Sequence, residues 1–222
     1  MARYFDVHPR DPQARSIAQV VALLQDDAVI AYPTDSCYAL GSRIGNHAGA
    51  DRIRKIRGLG PDHHFTLVCA DFAQLGQFVH VDNKAFRAVK AATPGPYTFI
   101  LPATKEVPRR LAHPRKKTVG VRIPSHPVVR ALLSALGEPL LSSTLILPGE
   151  EAPMTEGWRI KDELDAVLAA GQLEVSPPLA DDAVDSGGFG GFGTARYFDL
   201  VLPLAPGTAP LRATTDAAAV RD

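Results

Sequence analysis

Apolar positions along the chain follow two rhythms. Short runs rich in β-branched, aromatic or small apolar residues, bounded by Gly, Pro or Asp, read as buried strands: Arg3 to Val7, Ala28 to Tyr32, Phe65 to Cys69, Tyr97 to Leu101, Thr118 to Ile123 and Leu140 to Leu145. Between them the apolar spacing becomes helical. An amphipathic run, Ile17 to Leu24, follows Asp11-Pro12; a helix opened by Asn46 carries Ile53 and Ile56 on one face; Asp71 starts a short helix. Asn83 to Ala91 is stopped by Thr93-Pro94-Gly95-Pro96, and Pro127 to Leu136 and Ile160 to Leu168 complete the set. Strands alternating with helices predict an α/β protein whose central sheet is covered on its faces. The segment Val29 to Gly41 is the most informative: an apolar strand ends in Pro33-Thr34-Asp35 and is expected to run into a small-residue turn. Thr34 and Asp35 either line a ligand site just beyond the strand or only satisfy local backbone groups.

The 222 residues with 45% hydrophobic content suffice for one large domain with its own core. Cys37 and Cys69 both lie inside apolar runs, which points to small buried residues of a reducing compartment rather than a disulfide framework or a metal site. No apolar signal core opens the chain and no apolar run approaches a membrane span, so a cytoplasmic location and no membrane contact are expected. A formal net charge of zero hides two basic clusters. Arg52, Arg54, Lys55 and Arg57 form one; Arg109, Arg110, Arg115, Lys116, Lys117 and Arg122 form the other. Either suits polyphosphate or RNA, and a merely solvated loop is the alternative for Arg115 to Lys117.

Five segments in order carry a resemblance: Tyr32-Pro33-Thr34-Asp35-Ser36, Lys55-Ile56-Arg57, Pro94-Gly95-Pro96-Tyr97-Thr98, Thr118-Val119-Gly120-Val121-Arg122 and Leu141-Ser142-Ser143-Thr144. Together they resemble the YrdC/YciO superfamily, whose synthase members join L-threonine, bicarbonate and ATP into threonylcarbamoyl-AMP. Ala103-Thr104-Lys105-Glu106-Val107-Pro108-Arg109-Arg110 and Ser143-Thr144-Leu145-Ile146-Leu147-Pro148-Gly149 look like signatures of the YciO branch. The resemblance implies a twisted, mixed sheet flanked by helices with an open concave cleft, and it covers residues 1–170. Residues 171–222 form an atypical tail, expected to pack partly on the same domain.

Site residues follow from the motifs. Lys55 and Arg57 stand two apart and point in different directions on a regular helix, but at a helix end before Gly58 they can fan out around a polyphosphate; complementing the helix dipole is the alternative. Thr118 and Arg122 share one strand face, as do Ser142 and Thr144. The resemblance implies that Lys55, Arg57, Thr118 and Thr144 hold the nucleotide, and that Thr34, Thr98, Arg122 and Ser142 hold threonine. No metal site is readable; Mg²⁺ would arrive with ATP, whose phosphates supply most of its ligands.

The chain departs from the synthase pattern in three places. The family's Ser-x-Asn has become Thr144-Leu145-Ile146, so an amide is replaced by a side chain that makes no hydrogen bond. The Pro expected after Arg57 is Gly58, and Leu59 to Asp62 lengthen the following loop, whose His63 and His64 read as surface residues rather than ligands or bases. After Gly171 neither the family's closing strand nor its Arg-x-Gly is found; Gly188, Gly190 and Gly193 fit G-x-G-x-x-G without a βαβ unit around them, and Ala195 to Leu200 nearly copies Ala2 to Val7. The expected function is threonylcarbamoyl-AMP synthesis for tRNA threonylcarbamoyladenosine modification. The alternative is an RNA- or nucleotide-binding protein, with tRNA or double-stranded RNA as partner, that lacks efficient synthase activity.

Overall fold

The computed structural model of the protein describes residues 3–60, 63–167, 172–175 and 201–203. In chain order the elements are β1 (Arg3–Phe5), α1 (Ala14–Gln25), β2 (Val29–Pro33), β3 (Tyr38–Arg43), α2 (His47–Arg57), β4 (Thr66–Val68), α3 (Phe72–Phe78), α4 (Asn83–Ala92), β5 (Thr98–Pro102), β6 (Thr118–Arg122), α5 (Pro127–Leu136), β7 (Leu140–Thr144), α6 (Gly157–Val167), β8 (Gln172–Val175) and β9 (Val201–Pro203). Helix starts follow local side-chain chemistry. Asn46 accepts a hydrogen bond from the Gly49 amide at 2.7 Å, and Asp71 and Asp82 do the same for Gln74 and Ala85 at 2.7 Å each. Each such cap contributes about 1 kcal/mol by satisfying an amide that has no partner inside the helix. Gly58 ends α2 at φ +64°, a conformation costly to any residue with a Cβ.

The strands form one sheet in the order β1-β8-β2-β3-β7-β4-β6-β5-β9. The pairs β1/β8, β8/β2, β4/β6 and β5/β9 are parallel and the others antiparallel, so the sheet is mixed, as expected. The turn expected after the Pro33-Thr34-Asp35 strand end is present but tighter than expected, and it closes a hairpin. Tyr38–Arg43 is a full strand antiparallel to β2, with Pro33 opposite Tyr38 and Ala31 opposite Leu40. Its small residues hid it from a propensity reading: Tyr38 to Ser42 are all buried, so no alternation of polar and apolar positions marks the strand. Two stretches beyond Gly171, β8 and β9, pair into the sheet. Leu168, the Gly188 to Gly193 pattern and the Ala195 to Leu200 copy lie outside the described residues.

Alternation along each strand sorts residues to two faces. On one face Val29, Ala31, Leu40, Leu67, Val121, Phe99 and Leu141 pack with Ile53 and Ile56 of α2, Leu75 of α3, Val89 of α4, and Ile160 and Leu164 of α6. On the other, Ile30, Tyr32, Ala39, Val68 and Leu140 pack beneath Ile17, Val20 and Leu24 of α1 and Val129, Leu132 and Leu133 of α5. Burying each large side chain contributes on the order of 1.5–3 kcal/mol, so both layers are needed to hold so wide a sheet. This second face is covered only in part. Across four adjacent strands, Gly41, Ser142, Thr66 and Gly120 stand in register on it. A row of small or hydroxylated side chains gives a helix nothing apolar to bury, and the sheet there stays concave.

Candidate functional site

The uncovered part of that face is the floor of a cleft of about 210 Å³ lined by residues including Tyr32, Thr34, Cys37, Ala39, Arg57, His63, Thr98, Arg122, Ser142, Ser143, Thr144 and Ile146. An adjoining depression of about 250 Å³ shares His64, Thr66 and Thr98 and extends to Ile100, His113, Thr118 and Gly120. A Cβ on Gly41 would fall 2.6 Å from Tyr32 Cε1, and one on Gly120 would fall 3.1 Å from Thr66 Oγ1, so both positions are small because neighbouring side chains fill the space. The Pro94-Gly95-Pro96 turn delivers Thr98 to the floor. The Gly95 amide donates to the carbonyl of Ile123 at 2.8 Å, tying the turn to the end of β6.

The Thr34 to Cys37 turn does both of the things its sequence allowed. Thr34 Oγ1 donates to the Cys37 carbonyl at 2.7 Å and accepts from the amides of Ser36 and Cys37 at 3.3 Å each. The hydroxyl thus fixes the turn while also lining the cleft. Asp35 instead reaches away from its own backbone. One carboxylate oxygen lies 3.1 Å from Arg122 Nη2, and the other accepts from the Ser125 amide at 2.9 Å and from the Ser125 hydroxyl. The side chains of Arg122 and Asp35 are only 9% and 8% exposed, so the pair is buried rather than a surface bridge. Arg122 Nε is buried with no hydrogen-bond partner.

Tyr32 Oη shares a 2.6 Å hydrogen bond with Ser142 Oγ, and burial pushes its pKa up to about 12, so it remains a neutral hydroxyl. At the other wall, Arg57 Nη1 donates to Ser143 Oγ and Arg57 Nε approaches the Ile146 carbonyl at 3.5 Å. His63 Nε2 sits 3.0 Å from the same Ser143 hydroxyl. Burial, then the charges of Arg57 and Arg54, push the pKa of His63 down to about 4, so its imidazole is neutral near pH 7. Arg54 pairs with Asp51 at 2.8 Å and lies over the Phe65 ring.

Six of the eight residues expected from sequence line the main cleft: Thr34, Arg57, Thr98, Arg122, Ser142 and Thr144. Thr118 lines the adjoining depression. Lys55 lines neither and is exposed, because two residues along a helix turn it away from Arg57. Ile146 projects into the cleft and belongs to neither apolar core. Sequence reasoning missed Tyr32, Ser143 and His63. Tyr32 reads as one more apolar strand residue, and His63 reads as a surface histidine although it is half-buried against Ser143, eighty positions away. Cys37 and Cys69 are both buried, as expected. Among the described residues no cluster of three or more His, Cys, Asp or Glu could hold a metal ion, and no helix is long and apolar enough to cross a membrane. Arg109, Arg110, Arg115, Lys116 and Lys117 are exposed and lie outside both depressions.

Comparison with known proteins finds relatives of the same fold. The sequence model of the Sua5/YciO/YrdC family, described as telomere recombination, matches residues 22–184. The YciO protein of Escherichia coli K12 is 47% identical over 189 residues, covering 83% of this chain and 92% of YciO. The crystal structure of E. coli YciO superposes with a TM-score of 0.74, covering 79% of this chain and 84% of the other. The threonylcarbamoyl-AMP synthase of Vibrio vulnificus YJ016 is 31% identical over 157 residues, covering 69% of this chain and 83% of the synthase. Sua5 of P. abyssi, crystallised with L-threonine, shares the fold at a TM-score of 0.71 and 21% identity; the match covers 80% of this chain and 51% of Sua5.

Proposed function

The chain belongs to the Sua5/YciO/YrdC family, and from that premise we propose that it is an L-threonylcarbamoyladenylate synthase that serves tRNA threonylcarbamoyladenosine modification. The observation that carries the reading is convergence. Thr34, Arg57, Thr98, Arg122, Ser142 and Thr144, from five separate stretches of sequence, meet in one cleft that offers two guanidinium groups and four hydroxyls. Such a site suits a substrate pair with a carboxylate, a polyphosphate and several hydroxyls.

In this reading Arg57 and Thr144 hold the phosphates of ATP, and Thr118 holds the nucleoside in the adjoining depression. Lys55, exposed on the last turn of α2, adds positive potential at the rim rather than a contact. Arg122 takes the carboxylate of L-threonine, with Thr34, Thr98 and Ser142 around it. The threonine amine and bicarbonate condense to a carbamate with loss of water. A carbamate oxygen then attacks the α-phosphorus of ATP, forming the mixed anhydride as the bond to pyrophosphate breaks. Mg²⁺ would be held chiefly by the phosphates of ATP rather than by protein ligands, and would neutralise part of their charge. Positioning and neutralisation of charge supply the catalysis, and no side chain is required to act as a strong base. Incubation with ATP, bicarbonate and a panel of amino acids, scored by pyrophosphate release and the mass of the adenylate, tests the proposal. Absence of a threonine-dependent adenylate overturns it.

A second reading, an RNA- or nucleotide-binding protein without efficient synthase activity, is favoured by Ile146 in the cleft and by the exposed basic residues outside it. Tight RNA binding that weakens steeply with salt, in a protein that makes no adenylate, is the outcome that selects it.

A further inference from the structure

We propose that Asp35 is the positioning residue of the cleft: anchored by Ser125, it holds the Arg122 guanidinium in place at the floor for the carboxylate of the amino-acid substrate. The inference rests on the synthase reading for the identity of that substrate.

An arginine is a poor binding element until its long side chain is fixed, because the entropy lost on immobilisation opposes every contact it makes. Here the fixing is built into the fold. Asp35 stands in a turn already locked by the Thr34 hydroxyl, which donates to Cys37 O at 2.7 Å. One of its oxygens is held by the amide and the hydroxyl of Ser125, in the loop that leads to α5. The other accepts from Arg122 Nη2 at 3.1 Å, with Ser36 Oγ a weaker second acceptor at 3.5 Å. One carboxylate therefore joins the β2–β3 turn, the end of β6 and the approach to α5. It fixes the Nη2 end of the guanidinium in a residue that lines the cleft.

The pair also sets the charge. Arg122 and Asp35 together are neutral, so a bound carboxylate is accepted by a guanidinium whose second face is already occupied, and a ligand lacking a carboxylate gains nothing there. The alternative, that Asp35 only braces the fold, makes a different prediction: threonine and ATP binding would then respond together.

The test uses the full chain and calorimetry with L-threonine and ATP separately, alongside the side-chain Nε–H resonance of Arg122, assigned by its absence in R122K. D35N is expected to weaken threonine binding about tenfold or more while ATP affinity stays within about twofold. It also broadens the Arg122 Nε–H signal. D35E, which restores the charge, recovers part of the affinity, and S125A produces a smaller loss in the same direction. Unchanged threonine binding with an unchanged Arg122 resonance overturns the assignment, as does a parallel loss of both ligands accompanied by a lowered melting temperature. If the wild-type protein binds no threonine, the synthase reading fails by itself. The Arg122 resonance in D35N then decides the positioning role: broadening supports it, and an unchanged signal removes it.

Discussion

Replacing Ile146 with Asn tests the synthase reading at the one cleft position where this chain lacks a polar group that the synthases are expected to have. Ile146 is half-buried, lines the cleft beside Ser143 and Thr144, and belongs to neither apolar layer. Its backbone is fixed by hydrogen bonds from its amide to Thr144 O at 3.1 Å and from Arg57 Nε to its carbonyl at 3.5 Å, so the new side chain starts from a defined place. Removing a partly solvated Ile forfeits about 1 kcal/mol or less of burial. An amide in the cleft can donate and accept toward bound nucleotide or carbamate, and one restored hydrogen bond is worth about 1–1.5 kcal/mol, or roughly tenfold in rate. The assay is the initial rate of pyrophosphate release with ATP, bicarbonate and L-threonine, with the adenylate identified by mass and the melting temperature measured in parallel. At about 2–4 °C per kcal/mol for a chain of this length, the variant should melt within about 4 °C of the parent. A larger fall without a gain in rate places Ile146 in the core, and an unchanged rate at unchanged stability means that the position does not face the reacting groups; either result refutes the reasoning.

Arg57→Ala should weaken ATP binding by about tenfold or more through loss of a charged, hydrogen-bonding fork, whereas Lys55→Ala should change it by less than about threefold; calorimetry giving the reverse order would move the phosphate site to the outside of α2. Folding stability should fall as pH drops from about 6.5 to about 4, because the unfolded chain protonates His63 across that window while the folded one keeps it neutral. After discounting for partial exposure the loss should be on the order of 1–2 kcal/mol, and urea titrations should find it missing in His63→Gln. Gly41→Ala sets a Cβ 2.6 Å from Tyr32 Cε1 and should destabilise the protein by about 1–3 kcal/mol; a variant that melts like the parent would mean that the ring moves freely.

The legible part of the fold is the part written in local chemistry. Asn46, Asp71 and Gly58 announce helix ends because a side chain three residues from an amide, or the lack of a Cβ, decides them on the spot. The hairpin strand Tyr38–Arg43 escaped notice because burial on both faces leaves no alternation to read. The same distinction governs the site. Strand periodicity places Thr118 with Arg122 and Ser142 with Thr144 from spacing alone, and the structure keeps both pairs on the faces so assigned. No spacing rule joins Asp35 to Arg122 across 87 positions, or His63 to Ser143 across 80. Those contacts exist only once the sheet order brings β2, β6 and β7 around one concave floor.

That floor explains why residues of the cleft can change without loss of the fold. The row Gly41, Ser142, Thr66 and Gly120 carries little of the apolar burial that stabilises the protein, which resides in the layers beneath α1 and α5 and on the opposite face. Substitution of a cleft residue such as Ile146 is therefore expected to alter what the cleft binds at small cost in stability. The anchored pair of Asp35 and Arg122 is in the opposite position. It is buried, it joins three segments, and removing either partner strands a charge, which costs about 3–5 kcal/mol in a buried pair. Changes that retune the cleft are thus expected to accumulate along the wall formed by Arg57, His63 and Ile146, while the end of the cleft that holds Arg122 stays fixed.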